Sequence, residues 1–206
     1  MAVTIVAQSL GTKYVLDAAA LGRLREVLRI GGLVVHPTDT VYGLGADPFQ
    51  RAAVDRVFAA KGRPRDQPIS IAIADPADVF RFGAKSATAE AFCAKNLPGP
   101  FTVVLRATPE APAPIVGPDG RIAIRVPAHP IPRLLAKAYG PITSTSANVH
   151  GRPSPVTCPE AREQLGDHVD IYVDGGPTPL GGESTVVDLS GDRPKVLRQG
   201  VLPTGA

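Results

Sequence analysis

Four short segments carry the side chains that could do chemistry. Pro37-Thr38-Asp39-Thr40-Val41-Tyr42-Gly43-Leu44-Gly45 follows a β-prone apolar run and offers two hydroxyls, a carboxylate and two glycines. Loops at the carboxyl ends of strands are where open α/β sheets bind ligands, and glycine lets backbone approach a ligand closely. The same residue types also make ordinary turns. Lys61-Gly62-Arg63-Pro64-Arg65-Asp66-Gln67-Pro68 sets three cations within a proline-stiffened stretch. Lysine supplies a point charge and arginine a planar fork for phosphate oxygens. A short, stiff cluster suits a polyphosphate better than a long nucleic-acid backbone; a solvated surface patch is the plain alternative. Thr143-Ser144-Thr145-Ser146-Ala147-Asn148, with Gly151-Arg152-Pro153-Ser154-Pro155 behind it, offers a run of hydroxyls to a small polar substrate or to phosphates. Gly181-Gly182-Glu183-Ser184 brings a hydroxyl close to backbone ahead of an apolar strand, and Arg198 follows near the end of another. Arg198 could hold an anion or be a surface charge.

Several chemistries are excluded by what is missing. There is no GxSxG nucleophile elbow and no GxxxxGK[ST] phosphate loop, so a serine hydrolase and a P-loop enzyme are set aside. His36, His129, His150 and His168 lack metal-ligand spacing, and no metal-ligating residues are expected. Asp39, Asp47 and Glu183 could at most help to hold magnesium through phosphates and waters. The two cysteines, Cys93 and Cys158, form no CxxC and read as buried free thiols in a reducing compartment. The chain has 206 residues, a formal net charge of +3, and 20% charged and 44% hydrophobic residues, the profile of a soluble globular protein. Met1–Val6 lacks a basic start followed by a long apolar run, and nothing nears the roughly 18 apolar residues of a membrane span. A cytoplasmic protein without a membrane association is expected.

The elements that must position these segments alternate between strand and helix. Strands are predicted at Val3–Val6, Leu33–His36, Ile69–Ala74, Phe101–Arg106, Ile122–Val126, Ile142–Thr145, Ile171–Val173, Thr185–Leu189 and Lys195–Arg198. Asp17 is the expected N-cap of a helix to Arg29, in which Leu21, Leu24, Val27 and Leu28 recur at helical spacing. Further helices are predicted over Arg51–Ala60, Ser86–Asn96, around Pro132–Tyr139, and near Pro159–Leu165. This is an α/β chain with mixed strand order, and no stretch is long or polar enough to divide it. A single domain over 1–206 is expected.

Taken together and in order, PTDTVYGLGADP, KGRPRDQPI, the LPGPFTVVL and RIAIRVPAHP pair, TSANVHGRPSP and GESTVVDLSGDRPKVLRQG resemble the YrdC-like family of threonylcarbamoyl-AMP synthases. The resemblance implies an α/β fold: an open, twisted mixed sheet with flanking helices and a concave basic groove, here in the short single-domain form. It implies a nucleotidyltransferase that makes threonylcarbamoyl-AMP and pyrophosphate from L-threonine, bicarbonate and ATP. A downstream transferase would then pass the threonylcarbamoyl group to adenosine-37 of tRNA. By the same resemblance Lys61 and Arg63 are catalytic and hold phosphates. Thr40, Arg125, Ser146 and Ser184 surround threonine, and Gln67, Asn148, Ser154 and Arg198 contact ATP. Magnesium accompanies the triphosphate. The chain departs from the family's usual pattern at Ala72, where a histidine is common, at His150, where serine is common, and at Arg121, where a small hydroxyl residue is common. Two other functions compete: a non-catalytic RNA-binding protein using the basic groove, with weak RNA binding, and a carbamoyl-transfer domain like those of hydrogenase-maturation proteins.

Overall fold

Short β-branched runs make the strands and capped amphipathic runs make the helices of this computed structural model, which describes residues 2–10 and 13–202. In chain order the strands and helices are β1 (Val3–Val6), β2 (Gln8–Leu10), β3 (Lys13–Val15), α1 (Ala18–Arg29), β4 (Val34–His36), β5 (Gly43–Gly45), α2 (Arg51–Lys61), β6 (Ser70–Ala72), α3 (Val79–Phe82), α4 (Ala87–Asn96), β7 (Phe101–Arg106), β8 (Arg121–Arg125), α5 (Pro130–Tyr139), β9 (Ile142–Thr143), β10 (Thr145–Ser146), α6 (Cys158–Leu165), β11 (Ile171–Asp174), β12 (Thr185–Asp188) and β13 (Lys195–Arg198). The predicted helix starts hold because their caps are real. Asp17 accepts from Ala20 N at 2.7 Å and Ser86 from Ala89 N at 3.1 Å, each satisfying an otherwise orphaned amide.

The expected mixed α/β architecture with flanking helices is present, its strands divided between two mixed sheets. One has the order β1-β11-β4-β5-β10 and the other β13-β12-β7-β8-β6-β9. The sheets are joined at Ser144. Before it, β9 pairs antiparallel with β6 (Ile71 opposite Thr143); after it, β10 pairs antiparallel with β5 (Thr145 opposite Leu44). Thr143 rivets this junction, its Oγ1 donating to Leu44 O at 3.1 Å and accepting from Ala46 N at 2.9 Å. The main core gathers Leu33, Val35, Tyr42, Leu44, Val54, Val57, Ile71, Ile124 and Val187 between sheets and helices. A second cluster seats α1 and α5 through Leu24, Leu28, Ile131 and Leu135. Cys93 and Cys158 lie in the main core as free thiols, and burial pushes both up to about 11. Among the described residues no helix is long and apolar enough to cross a membrane.

Strand β5 is the main departure from the expected pattern. Gly-Leu-Gly is a poor strand former, yet it pairs with both β4 and β10. Glycine is required here by His36 on the adjacent strand β4, directly opposite Gly43. A Cβ on Gly43 would stand 2.9 Å from His36 Cε1, and one on Gly45 3.4 Å from His36 Cδ2. The glycines therefore make room for a fully buried imidazole, and Gly43 also lines the cavity described below.

Candidate functional site

Segments far apart in sequence enclose a cavity of about 510 Å3. Its walls include Lys61, Arg63, Arg121, Arg125, Arg152 and Arg198, against the carboxylates of Asp119 and Glu183. Of the residues expected to act, Lys61, Arg63, Arg125, Ser146, Asn148, Ser184 and Arg198 line it. Thr40, Gln67 and Ser154 do not.

Lys61 ends α2, where Gly62 (φ +58°) stops the helix and turns the side chain inward. Its Nζ donates to Asn148 O at 2.8 Å, to Asn148 Oδ1 at 3.1 Å and to Ser146 O. Three acceptors use all three N–H bonds of the ammonium, so Lys61 clamps the loop after β10. Burial, with Arg63 beside it, lowers this lysine to about 7, while Glu183 works in the other direction. Arg63 folds back on its own loop, donating from Nε to Gln67 O at 3.2 Å and from Nη2 to Pro68 O at 3.1 Å. Gln67 thus serves through its carbonyl. Arg65, the third cation of the cluster, turns away: it pairs with Asp55 on α2 and lies 5.7 Å from the Phe58 ring centroid. Only two of the three clustered charges face the cavity.

Arg125, at the end of β8, is buried and donates from Nη2 to Asp39 Oδ1 at 2.7 Å. Desolvation lowers this guanidinium and Asp39 opposes that effect. Arg125 Nε and Asp39 Oδ2 are buried without a protein partner. A buried donor left so is costly unless water or a ligand meets it. Arg125 therefore presents unused hydrogen-bonding capacity in a cavity wall, which suits a carboxylate.

The loop between β4 and β5 is knotted by its own hydroxyls. Thr38 donates to Val41 O at 2.7 Å, which spends its one proton; the Thr40 hydroxyl, 3.0 Å away, must then donate to Thr38 Oγ1. Thr38 lines the cavity and Thr40 lies behind it. On the opposite wall Ser184 Oγ meets Thr102 Oγ1 at 2.9 Å, and Arg198 Nη2 donates to Ser184 O at 2.9 Å and to its Oγ at 3.3 Å. Ser154 reaches the cavity only through Glu183, whose Oε1 accepts its hydroxyl at 2.6 Å. Thr38 belongs to the first of the segments singled out above, whereas Thr102 is a wall residue that the sequence does not single out. A hydroxyl at the start of an otherwise apolar strand, as in Phe101-Thr102-Val103-Val104, was the available signal.

The residues departing from the usual family pattern fall in different places. Arg121 lines the cavity but is spent on Asp119 (Nε to Oδ2, 2.7 Å) and on Asp188. His150 also lines it, whereas Ala72 is buried in the second core cluster. Of the carboxylates considered for magnesium, Asp39 holds Arg125. Asp47 is outside the cavity, accepting from Tyr139 Oη and Gln50. Among the described residues no three His, Cys, Asp or Glu side chains come together as a metal cage.

The chain as a whole is similar to known proteins. The family described as Sua5/yciO/yrdC, telomere recombination, matches residues 26–200. A threonylcarbamoyl-AMP synthase of Pyrococcus abyssi is 42% identical over 187 residues, covering 89% of this chain and 54% of that one. A threonylcarbamoyl-AMP synthase of Vibrio cholerae is 35% identical over 179 residues, covering 85% of this chain and 94% of that one. The crystal structure of P. abyssi Sua5 complexed with L-threonine superposes with a TM-score of 0.88 at 35% identity, covering 98% of this chain and 58% of that chain. The chain thus spans little more than half of the Pyrococcus proteins and nearly all of the Vibrio one.

Proposed function

The chain belongs to the Sua5/YciO/YrdC family, and from that premise we propose that it is a threonylcarbamoyl-AMP synthase working as a single YrdC-like domain. The observation that carries the reading is convergence: Lys61, Arg63, Arg125 and Arg198, from distant segments, line one cavity with Ser146, Asn148 and Ser184 between them. The substrates are L-threonine, bicarbonate and ATP. The threonine amine condenses with bicarbonate to a carbamate, releasing water. A carbamate oxygen then attacks the α-phosphorus of ATP, and pyrophosphate leaves. No enzyme nucleophile is needed, so positioning and charge neutralisation supply the catalysis.

In this reading the free capacity of Arg125 takes the threonine carboxylate, with Ser146 and Ser184 beside it. Thr40 is a positioning residue that orients Thr38 from behind. Lys61, Arg63 and Arg198 face the phosphates, with Ser154 brought in from beside Glu183. Lys61 reaches a phosphate oxygen by giving up the longest of its three bonds, the 3.1 Å contact to Asn148 Oδ1. Magnesium enters as part of MgATP, since the cavity carboxylates are already engaged by arginines. The product would pass to a tRNA-modifying transferase in the cytoplasm. Lys61 and Arg125 are buried, which disfavours a role in gripping an extended RNA backbone.

The test is pyrophosphate release from MgATP with L-threonine and bicarbonate omitted in turn. Release that needs both is expected. Release without threonine, or full synthesis by an Arg63→Ala protein, overturns the assignment. Activity with carbamoyl phosphate in place of threonine and bicarbonate would point instead to carbamoyl transfer.

A further inference from the structure

The carboxylate of Glu183 sits where the phosphate-binding groups converge. Oε1 accepts the Ser154 hydroxyl at 2.6 Å, and Oε2 pairs with Arg198 Nη1. The same charge acts on Lys61 and Arg63, favouring the protonated form of each. These four residues are the ones given to the nucleotide phosphates above. The other carboxylate in the cavity wall, Asp119, is engaged by Arg121 away from this set. Carboxylate and phosphate oxygens accept from the same donors with similar geometry.

We propose that Glu183 is an internal stand-in for a nucleotide phosphate, holding Arg198 and Ser154 in their binding orientation and leaving when the triphosphate arrives. The proposal rests on the ATP reading of the cavity. The local structure permits the exchange by side-chain rotation alone. The Glu183 main chain is anchored, its carbonyl accepting from Val201 N at 3.0 Å. Arg198 stays oriented through its Nη2 bonds to Ser184 O and Oγ when the carboxylate departs. The Glu183 side chain is 37% exposed, so solvent lies open to it. Two consequences follow. The cationic wall is never left unneutralised, which keeps its side chains ordered in the free protein. A ligand must also outcompete a tethered carboxylate for Arg198 and Ser154, which favours a polyphosphate over a singly charged anion.

Calorimetric titration of ATP into the full chain tests this, with wild type, Glu183→Gln and Glu183→Ala compared at about pH 6, below the value of about 7 at which Lys61 loses its charge in wild type. The contact is partly solvent-exposed, so its removal is expected to tighten ATP binding about fivefold. Both variants should show the gain, Glu183→Ala serving if the glutamine variant does not fold. Affinity unchanged or weakened in the variants overturns the proposal, and weakening seen only with magnesium present would make Glu183 a support for the metal instead. Absence of ATP binding by wild type defeats the ATP reading itself, and the proposal falls with it; ATP binding without the gain defeats the proposal alone.

Discussion

Replacing Asp39 with asparagine should produce two effects of opposite sign. Arg125 donates to Asp39 Oδ1 at 2.7 Å, and both side chains are almost wholly removed from water. Breaking a buried pair from one side costs about 3–5 kcal/mol, because the surviving charge stays buried without compensation. Asparagine keeps an acceptor oxygen near the guanidinium, so the lower end, about 3 kcal/mol, is expected. In a chain of this length each kcal/mol moves the unfolding midpoint by about 2–4 °C, so the midpoint should fall by about 6–12 °C. The second effect appears when threonine is added. If Arg125 takes its carboxylate, the ligand restores the missing countercharge in the variant, whereas in wild type it shares the guanidinium with Asp39. Stabilisation by a ligand grows with its affinity for the folded state. Threonine should therefore raise the midpoint of Asp39→Asn more than that of wild type at equal concentration, and threoninamide, which lacks the carboxylate, should not. Thermal unfolding by circular dichroism, with and without each ligand, reads both effects. A variant midpoint within about 2 °C of wild type would mean that Asp39 contributes under 1 kcal/mol and that Arg125 is neutralised otherwise. A smaller threonine shift in the variant than in wild type would refute the assignment of Arg125 to the carboxylate.

Other perturbations follow from the same geometry. Lys61, lowered to about 7 chiefly by burial, carries its charge below that pH and loses it above. ATP affinity should weaken between about pH 6 and 9 in wild type and stay flatter in Lys61→Arg, because a guanidinium keeps its charge there; calorimetric profiles that coincide would remove Lys61 from the phosphate site. Gly43→Ala forces a Cβ to 2.9 Å from the buried His36 ring, an overpacking expected to cost about 1–3 kcal/mol in urea unfolding, and an unchanged midpoint would contradict it. His36 and His129 are both lowered from 6.5 to about 4 by burial. Groups lowered in this way contribute stability that is present above the unfolded value and lost as pH falls through the folded one, about 3 kcal/mol for each imidazole. Unfolding free energy should therefore drop steeply between pH 6.5 and about 4, and a flat profile over that window would show both rings to be solvated in the folded protein.

Where an element is dictated by its own residues, the sequence announces it. Asp17 caps its helix as expected, Ser86 caps the helix whose first residue it is expected to be, and the β-branched run of Phe101–Arg106 becomes a central strand. Where a distant partner decides, it does not. Gly43–Gly45 is a strand because it pairs with β4 and β10, its glycines leaving the space that the His36 imidazole fills, and no propensity of Gly-Leu-Gly contains that fact. Arg63 and Arg65 are the same residue type two positions apart; one faces the cavity and the other is captured by Asp55 and Phe58 on the preceding helix. The hydroxyl run at 143–146 looks uniform, yet Thr143 rivets the two sheets while Ser146 faces the cavity. The meeting of Thr102 with Ser184 spans 82 residues and depends on β7 and β12 lying parallel side by side. The α3 turn at Val79–Phe82 and the hairpin of β2 and β3 were likewise not evident, being too short to show a period.

The partners of the cavity cations sort them into two kinds. Lys61 and Arg63 are held by main-chain carbonyls: Ser146 and Asn148 for the lysine, Gln67 and Pro68 for the arginine. Those oxygens are fixed by the fold, so these charges keep their positions whether or not a ligand is present, as electrostatic preorganisation requires. Arg125 and Arg198 also pair with carboxylates, those of Asp39 and Glu183, with Arg198 keeping the main-chain Ser184 O as a further acceptor. The difference in burial separates the two further. Asp39 is enclosed and cannot swing into solvent, so an incoming carboxylate must share Arg125 with it. Glu183 has an exit, so an incoming phosphate can take Arg198 from it. One arginine is thus built for an added anion and the other for an exchanged one. That distinction gives the two variants opposite signatures: loss of the Asp39 charge should be felt mainly in stability, and loss of the Glu183 charge mainly in nucleotide affinity.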